Sequence, residues 1–115
     1  MDIARFEQDH RMSDVVVYKN TAYIGGQICT QRDGIRAQAA DTLALIDHLL
    51  SLCGSEKSRI LYATIYLLDM SNLPEFNEIW DAWIERGYAP ARACVGVQMA
   101  NPRCLVEIAL TAACG

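Results

Sequence analysis

Two residues near the C-terminal end could do chemistry together: Arg92 in the stretch APARACVGV, Ala89 to Val97, and Glu107 in LVEIALTAA, Leu105 to Ala113. A guanidinium offers a planar fork of N–H donors that fits a carboxylate. A carboxylate close to a bound electrophile can orient or deprotonate water. Both stretches are small and branched and read as strands, so each charge sits where a core residue would be expected. Alternation divides the first strand into Ala93, Val95, Val97 and Met99 against Arg92, Cys94, Gly96 and Gln98. It divides the second into Val106, Ile108, Leu110 and Ala112 against Leu105, Glu107, Ala109 and Thr111. With the branched sets under helices, Arg92 and Glu107 are both expected on the opposite face, sharing one partly dry surface. Two readings are then open. One is an ion pair at an interface, joining Arg92 to Glu107 or to another acid. The other is a cleft where Arg92 grips a ligand carboxylate, with Ala91, Ala93 and Gly96 leaving space for a small molecule.

Other reactive side chains fit plainer roles. Cys94 lies on a strand among apolar neighbours, and neither His10 nor His48 stands in a motif that would partner a thiolate, so packing is its simplest role. One histidine on a helix makes no metal site. The five cysteines, Cys29, Cys53, Cys94, Cys104 and Cys114, contain no C-x-x-C pair and are odd in number, which reads as reduced thiols in the cytoplasm. The formal net charge is −4 and the basic residues are scattered singly, so nucleic acid is not expected as a partner. Charges every few residues in MDIARFEQDHRM argue against a signal peptide, and the longest apolar run, Ile60 to Leu68, is too short to span a membrane as a helix. Phe76, Trp80 and Trp83 recur at helical spacing and read as core, not as a platform for bases.

These groups need a scaffold, and 115 residues that are 52% apolar and 21% charged make a single domain over 1–115. Asp14 to Ile28 reads as two strands joined at Lys19-Asn20, where Asn20 can tolerate positive φ, with a short strand before them around Phe6 to His10. Apolar residues at three and four apart predict a helix from Ile35 to Cys53, stopped by Gly54. Arg59 to Leu68 is expected as a strand apolar on both faces, Ile60, Tyr62, Tyr66 and Leu68 opposite Leu61, Ala63, Ile65 and Leu67. Ser71 is expected to cap a helix from Leu73 to Arg86, closed by Gly87, with Pro74 in its first turn. Strands from Ala91 to Met99 and from Leu105 to Ala113 finish the chain. The order β-β-β-α-β-α-β-β makes an α+β fold, a mixed sheet with both helices on one face. Two helices leave the other face uncovered, and a closed symmetric oligomer is the expected cover.

The stretch PARACV followed by LVEIALTAA, with GGQI after the hairpin and FNEIWDAW in the second helix, resembles the RidA (YjgF-like) family of reactive-intermediate deaminases over nearly the whole chain. The resemblance implies a chorismate-mutase-like fold, a homotrimer with three clefts between subunits, and a small-molecule carboxylate substrate. The implied reaction is hydrolysis of 2-enamine or 2-imine carboxylates such as 2-aminoacrylate to a 2-oxo acid and ammonia, with no cofactor. It implies that Arg92 binds the substrate carboxylate, that the backbone amides of Cys94 and Gly26 help hold the ligand, that Asn77 lies near the cleft, and that Glu107 positions water. Met12, which stands where many members carry a tyrosine, is expected on the same grounds to contact the substrate, and Gly25 stands where they carry a serine. Pro102 is displaced by one position, and Ala109 replaces the second acid of a common E-I-E ending. These departures mark a divergent branch and keep a second reading open, a trimer that binds 2-oxo or amino acids, or holds other proteins in a chaperone-like way, without turnover.

Overall fold

Residues 2–115 are described by the structure, a computed structural model. They form β1 (Ile3–Gln8), β2 (Ser13–Tyr18), β3 (Thr21–Gln27), α1 (Ile35–Leu52), β4 (Ile60–Leu67), α2 (Leu73–Trp83), β5 (Ala91–Gly96) and β6 (Val106–Ala113). The strands make one sheet in the order β1-β2-β3-β6-β4-β5, antiparallel except where β5 lies parallel to β4. A parallel neighbour needs a long crossover, and α2 supplies it. The α+β architecture expected from the sequence is the one observed.

One face of the sheet carries the core. Val15, Ala22, Ile24, Ala63, Ile65, Leu67, Val106, Ile108, Leu110 and Ala112 project from it toward Ala39, Leu43, Ile46 and Leu50 of α1 and Phe76 and Trp80 of α2. The opposite face is bare. Tyr23 and Tyr62 are 47% and 44% exposed there, and with Thr64, Ala109 and Thr111 they line an open, largely apolar groove of about 220 Å³.

The element boundaries differ from expectation where local hydrogen bonds compete. β1 starts earlier than expected, at Ile3, where it pairs with Tyr18, and it ends at Gln8 instead of His10 because Asp9 folds the chain into a turn. Its carboxylate accepts from the backbone N–H of Arg11 at 2.7 Å and of Met12 at 2.9 Å, and its own N–H donates to the Met12 carbonyl. In the two-residue turn after β2 the positive φ falls on Lys19, at 58°, and not on Asn20. A bulge in the β4–β6 pairing between Ile60 and Tyr62 buries Ile60 and exposes Leu61, so these two lie on faces opposite to those expected.

Gly54 stops α1 with φ at 71°, and the Ser55 N–H returns to the Leu50 carbonyl. Ser71 does not cap α2. Its N–H is instead held by the Asp69 carboxylate, making a 3₁₀ turn over Met70–Asn72 that runs into the helix. α2 ends at Trp83, three residues early, because Ile84 is extended, and Gly87 (φ 89°) instead serves a turn in which the Tyr88 N–H meets the Glu85 carbonyl. β5 stops at Gly96 because β4, its one partner, ends at Leu67.

Candidate functional site

Arg92 is fixed by the register of β5 on β4. It lies beside Ala63, and Cys94 lies beside Ile65, both core residues with no exposed surface. Paired residues in adjacent strands point to one side of a sheet. Arg92 and Cys94 therefore project from the helix-covered face. Glu107 lies beside Tyr66, between buried Val106 and Ile108, and projects from the bare face. The shared surface expected for Arg92 and Glu107 does not exist within one chain. The expectation failed because β5 is an edge strand, where the branched Val95 is left 40% exposed on the bare side while the long arginine stem covers the rim of the core.

On the helix side, the Arg92 guanidinium carbon lies 5.3 Å from the centroid of the Trp80 ring. Trp80 is only 4% exposed and leans on Phe76 and Trp83 at centroid distances of 6.1 and 5.6 Å. The four ion pairs found among the described residues leave Arg92 out. Cys94 packs against the core, where burial pushes its thiol pKa up and the Arg92 charge pulls it partly back. Asn77 sits one turn before Trp80 on α2, and its side-chain Oδ1 is buried without a hydrogen-bond partner among the described residues. A buried acceptor left unpaired is uncommon enough to need a reason, and a donor supplied by a ligand or a second chain would provide one.

On the bare side, Glu107 lines a cavity of about 160 Å³ with Gly26, Ile28, Met99, Ala100, Asn101 and Cys104. The β3–β6 pairing slips between Ile24 and Gln27, and this bulge brings the Gly26 backbone against Glu107. A Cβ on Gly26 would overlap the Glu107 carboxylate. The Gln27 side-chain amide closes the bulge by donating to the Gly25 carbonyl at 3.1 Å and the Asp14 carboxylate at 3.3 Å. Cys104 is buried and donates to the Val106 carbonyl at 3.1 Å; burial, with the Glu107 charge adding to it, pushes its thiol pKa up.

The residues singled out in the sequence thus fall into two clusters and an outlier. Arg92, Cys94 and Asn77 belong to β5 and α2 on the helix side. Glu107 and Gly26 share the cavity on the bare side. Met12 is exposed in the turn after β1, outside both. Periodicity had given Trp80 a packing role only. A basic residue on a neighbouring strand was the signal for its second contact, and alternation had placed that residue on the wrong face.

A mixed six-stranded sheet with two helices on one face, a bare second face and a cavity-lining acid at a glycine bulge defines an α+β protein of the YjgF-like fold. A YjgF-family protein from Neisseria meningitidis superposes with a TM-score of 0.97 at 41% identity, over 100% of this chain and 97% of that one. The chain belongs to the YjgF/RutC family: residues 3–114 match the family described as Endoribonuclease L-PSP. The RutC family protein YoaB of Escherichia coli is 42% identical over 113 residues, covering 98% of this chain and 99% of that protein. A more distant relative, the 3-aminoacrylate deaminase RutC of Acinetobacter baylyi, is 33% identical over 76 residues, covering 66% of this chain and 60% of that protein.

Proposed function

We propose that the protein is a hydrolytic deaminase of small 2-enamine and 2-imine carboxylates, acting in clefts between the protomers of a homotrimer. The observation that carries this reading is the placement of Arg92, in no ion pair among the described residues, and an acid, Glu107, on opposite faces of one sheet. The two do not meet within one chain, and a second copy would bring them together. In such a cleft Arg92 of one protomer anchors the substrate carboxylate, and the partner subunit's Glu107 orients water toward the imine carbon. Addition of water and loss of ammonia leave the 2-oxo acid. An imine carbon is already electrophilic, so positioning carries much of the effect. General-base help contributes on the order of 10²- to 10⁴-fold, about 3–5 kcal/mol of barrier. The deaminase named among the relatives supports this class of reaction. The family's description names an endoribonuclease, but the residues of this chain favour RNA cleavage less: its formal net charge is −4, and His10 and His48 are exposed, one in the turn after β1 and the other on α1.

The test generates 2-iminopropionate or 2-iminobutyrate with an amino-acid oxidase and follows its decay. Wild type is expected to speed the decay, Arg92→Ala to abolish the gain, and Arg92→Lys to lose at least about tenfold because the fork is gone. Mixing Arg92→Ala with Glu107→Gln and allowing subunits to exchange should recover about a quarter of wild-type activity, the share of randomly assembled clefts with both groups intact. Wild type no faster than buffer on both substrates, with 2-oxobutyrate still bound, would leave a carboxylate-binding protein instead.

A further inference from the structure

Arg92 is a charged side chain at the free edge of a sheet, and nothing acidic holds it among the described residues. A free arginine of that kind would sample many rotamers, and each would have to be frozen when a ligand binds. Here the guanidinium has a seat. It lies over the ring of Trp80, whose other surroundings are fixed: Phe76 and Trp83 lean on it, and the Trp83 indole N–H donates to the Asp47 carboxylate of α1 at 2.8 Å. Lys57 covers the Trp83 ring at 5.3 Å. The aromatic row is thus moored to the first helix at one end and offers a ring surface to Arg92 at the other.

An aromatic face differs from a carboxylate as a holder of arginine. An acid would orient the guanidinium but also occupy its N–H donors and cancel its charge. A ring attracts the cation through its quadrupole and uses none of the donors. We propose that Trp80 is a positioning residue for Arg92, holding the guanidinium in place by its ring while leaving the N–H fork and the charge free for an incoming carboxylate. The proposal rests on the deaminase reading for the identity of that carboxylate.

The experiment compares wild type with Trp80→Phe, which keeps a smaller aromatic face, and Trp80→Leu, which keeps apolar bulk without one; Trp80→Met replaces the leucine variant if that does not fold. Two readouts are taken. The first needs no ligand: the Arg92 Nε–Hε resonance should carry a ring-current shift in wild type, keep part of it in Trp80→Phe and lose it in Trp80→Leu. The second is the affinity for 2-oxobutyrate by calorimetry, together with the KM for imine. Affinity should fall about twofold in Trp80→Phe and about fivefold in Trp80→Leu, with KM following and kcat moving less. An Hε resonance unchanged by leucine would overturn the proposal, as would equal losses of affinity in the phenylalanine and leucine variants. If the resonance responds and 2-oxobutyrate binds as expected while imines decay no faster than in buffer, the deaminase reading falls and the positioning role stands.

Discussion

At the residue scale the sharpest constraint is at Gly26, where a single added methyl group would enter the space held by the Glu107 carboxylate. The φ of Gly26 is not in the left-handed region, so alanine fits the backbone and must be accommodated by moving the glutamate, a flexible side chain with room to swing. Gly26→Ala should therefore fold normally by circular dichroism yet lower kcat by on the order of tenfold or more, approaching the loss expected when a general base is displaced. A variant with wild-type kcat would mean that Glu107 does not act on water from this position. Cys94 offers little competition as the reacting group. Burial disfavours its thiolate, and only part of that effect is offset by the Arg92 charge.

Elements decide how the two clusters are presented, and the turn after β1 shows how far a local contact reaches. The Asp9 carboxylate is held below its ordinary pKa chiefly by the Met12 N–H, with the Arg11 N–H second. A carboxylate with a depressed folded pKa contributes order that is present above its unfolded pKa and is lost as pH falls through the folded one. Amide exchange at Arg11 and Met12, corrected for intrinsic rates, should thus show protection at neutral pH that disappears in acid, and Asp9→Ala should lack it throughout. Protection unchanged in Asp9→Ala would show the turn to be held by backbone alone. Element order, both helices and the glycine stop at Gly54 were legible because long periodic segments bury a continuous stripe. The face of Arg92 was not, because alternation reports burial only where one side of a strand is dry, and β5 is wetted on both. The Ile60 bulge and the split between the Arg92 and Glu107 clusters were hidden for a related reason: register is a property of strand pairs and leaves no mark within either strand alone.

On the scale of the whole molecule, the bare face of the sheet is the feature that asks for company. Tyr23 and Tyr62 stand exposed there beside small residues, a surface apolar enough to be covered by other copies. Light scattering at low micromolar concentration should give about three times the mass of the chain. Tyr62→Lys would place an ammonium on the face an oligomer would cover and should shift the population to monomer while the helix-side core, which Tyr62 does not enter, keeps its circular dichroism. If the cleft is shared as proposed, deaminase activity should vanish with the oligomer. A Tyr62→Lys monomer with full turnover would refute the shared cleft.

The separation of Arg92 and Glu107 by the thickness of a sheet also has a genetic corollary. In the trimer proposed above, each chain would lend its arginine to one neighbour and its acid to the other, so a copy defective in both would spoil two of the three clefts. Co-expressed with normal chains, such an allele would behave as dominant, its damage exceeding its dosage.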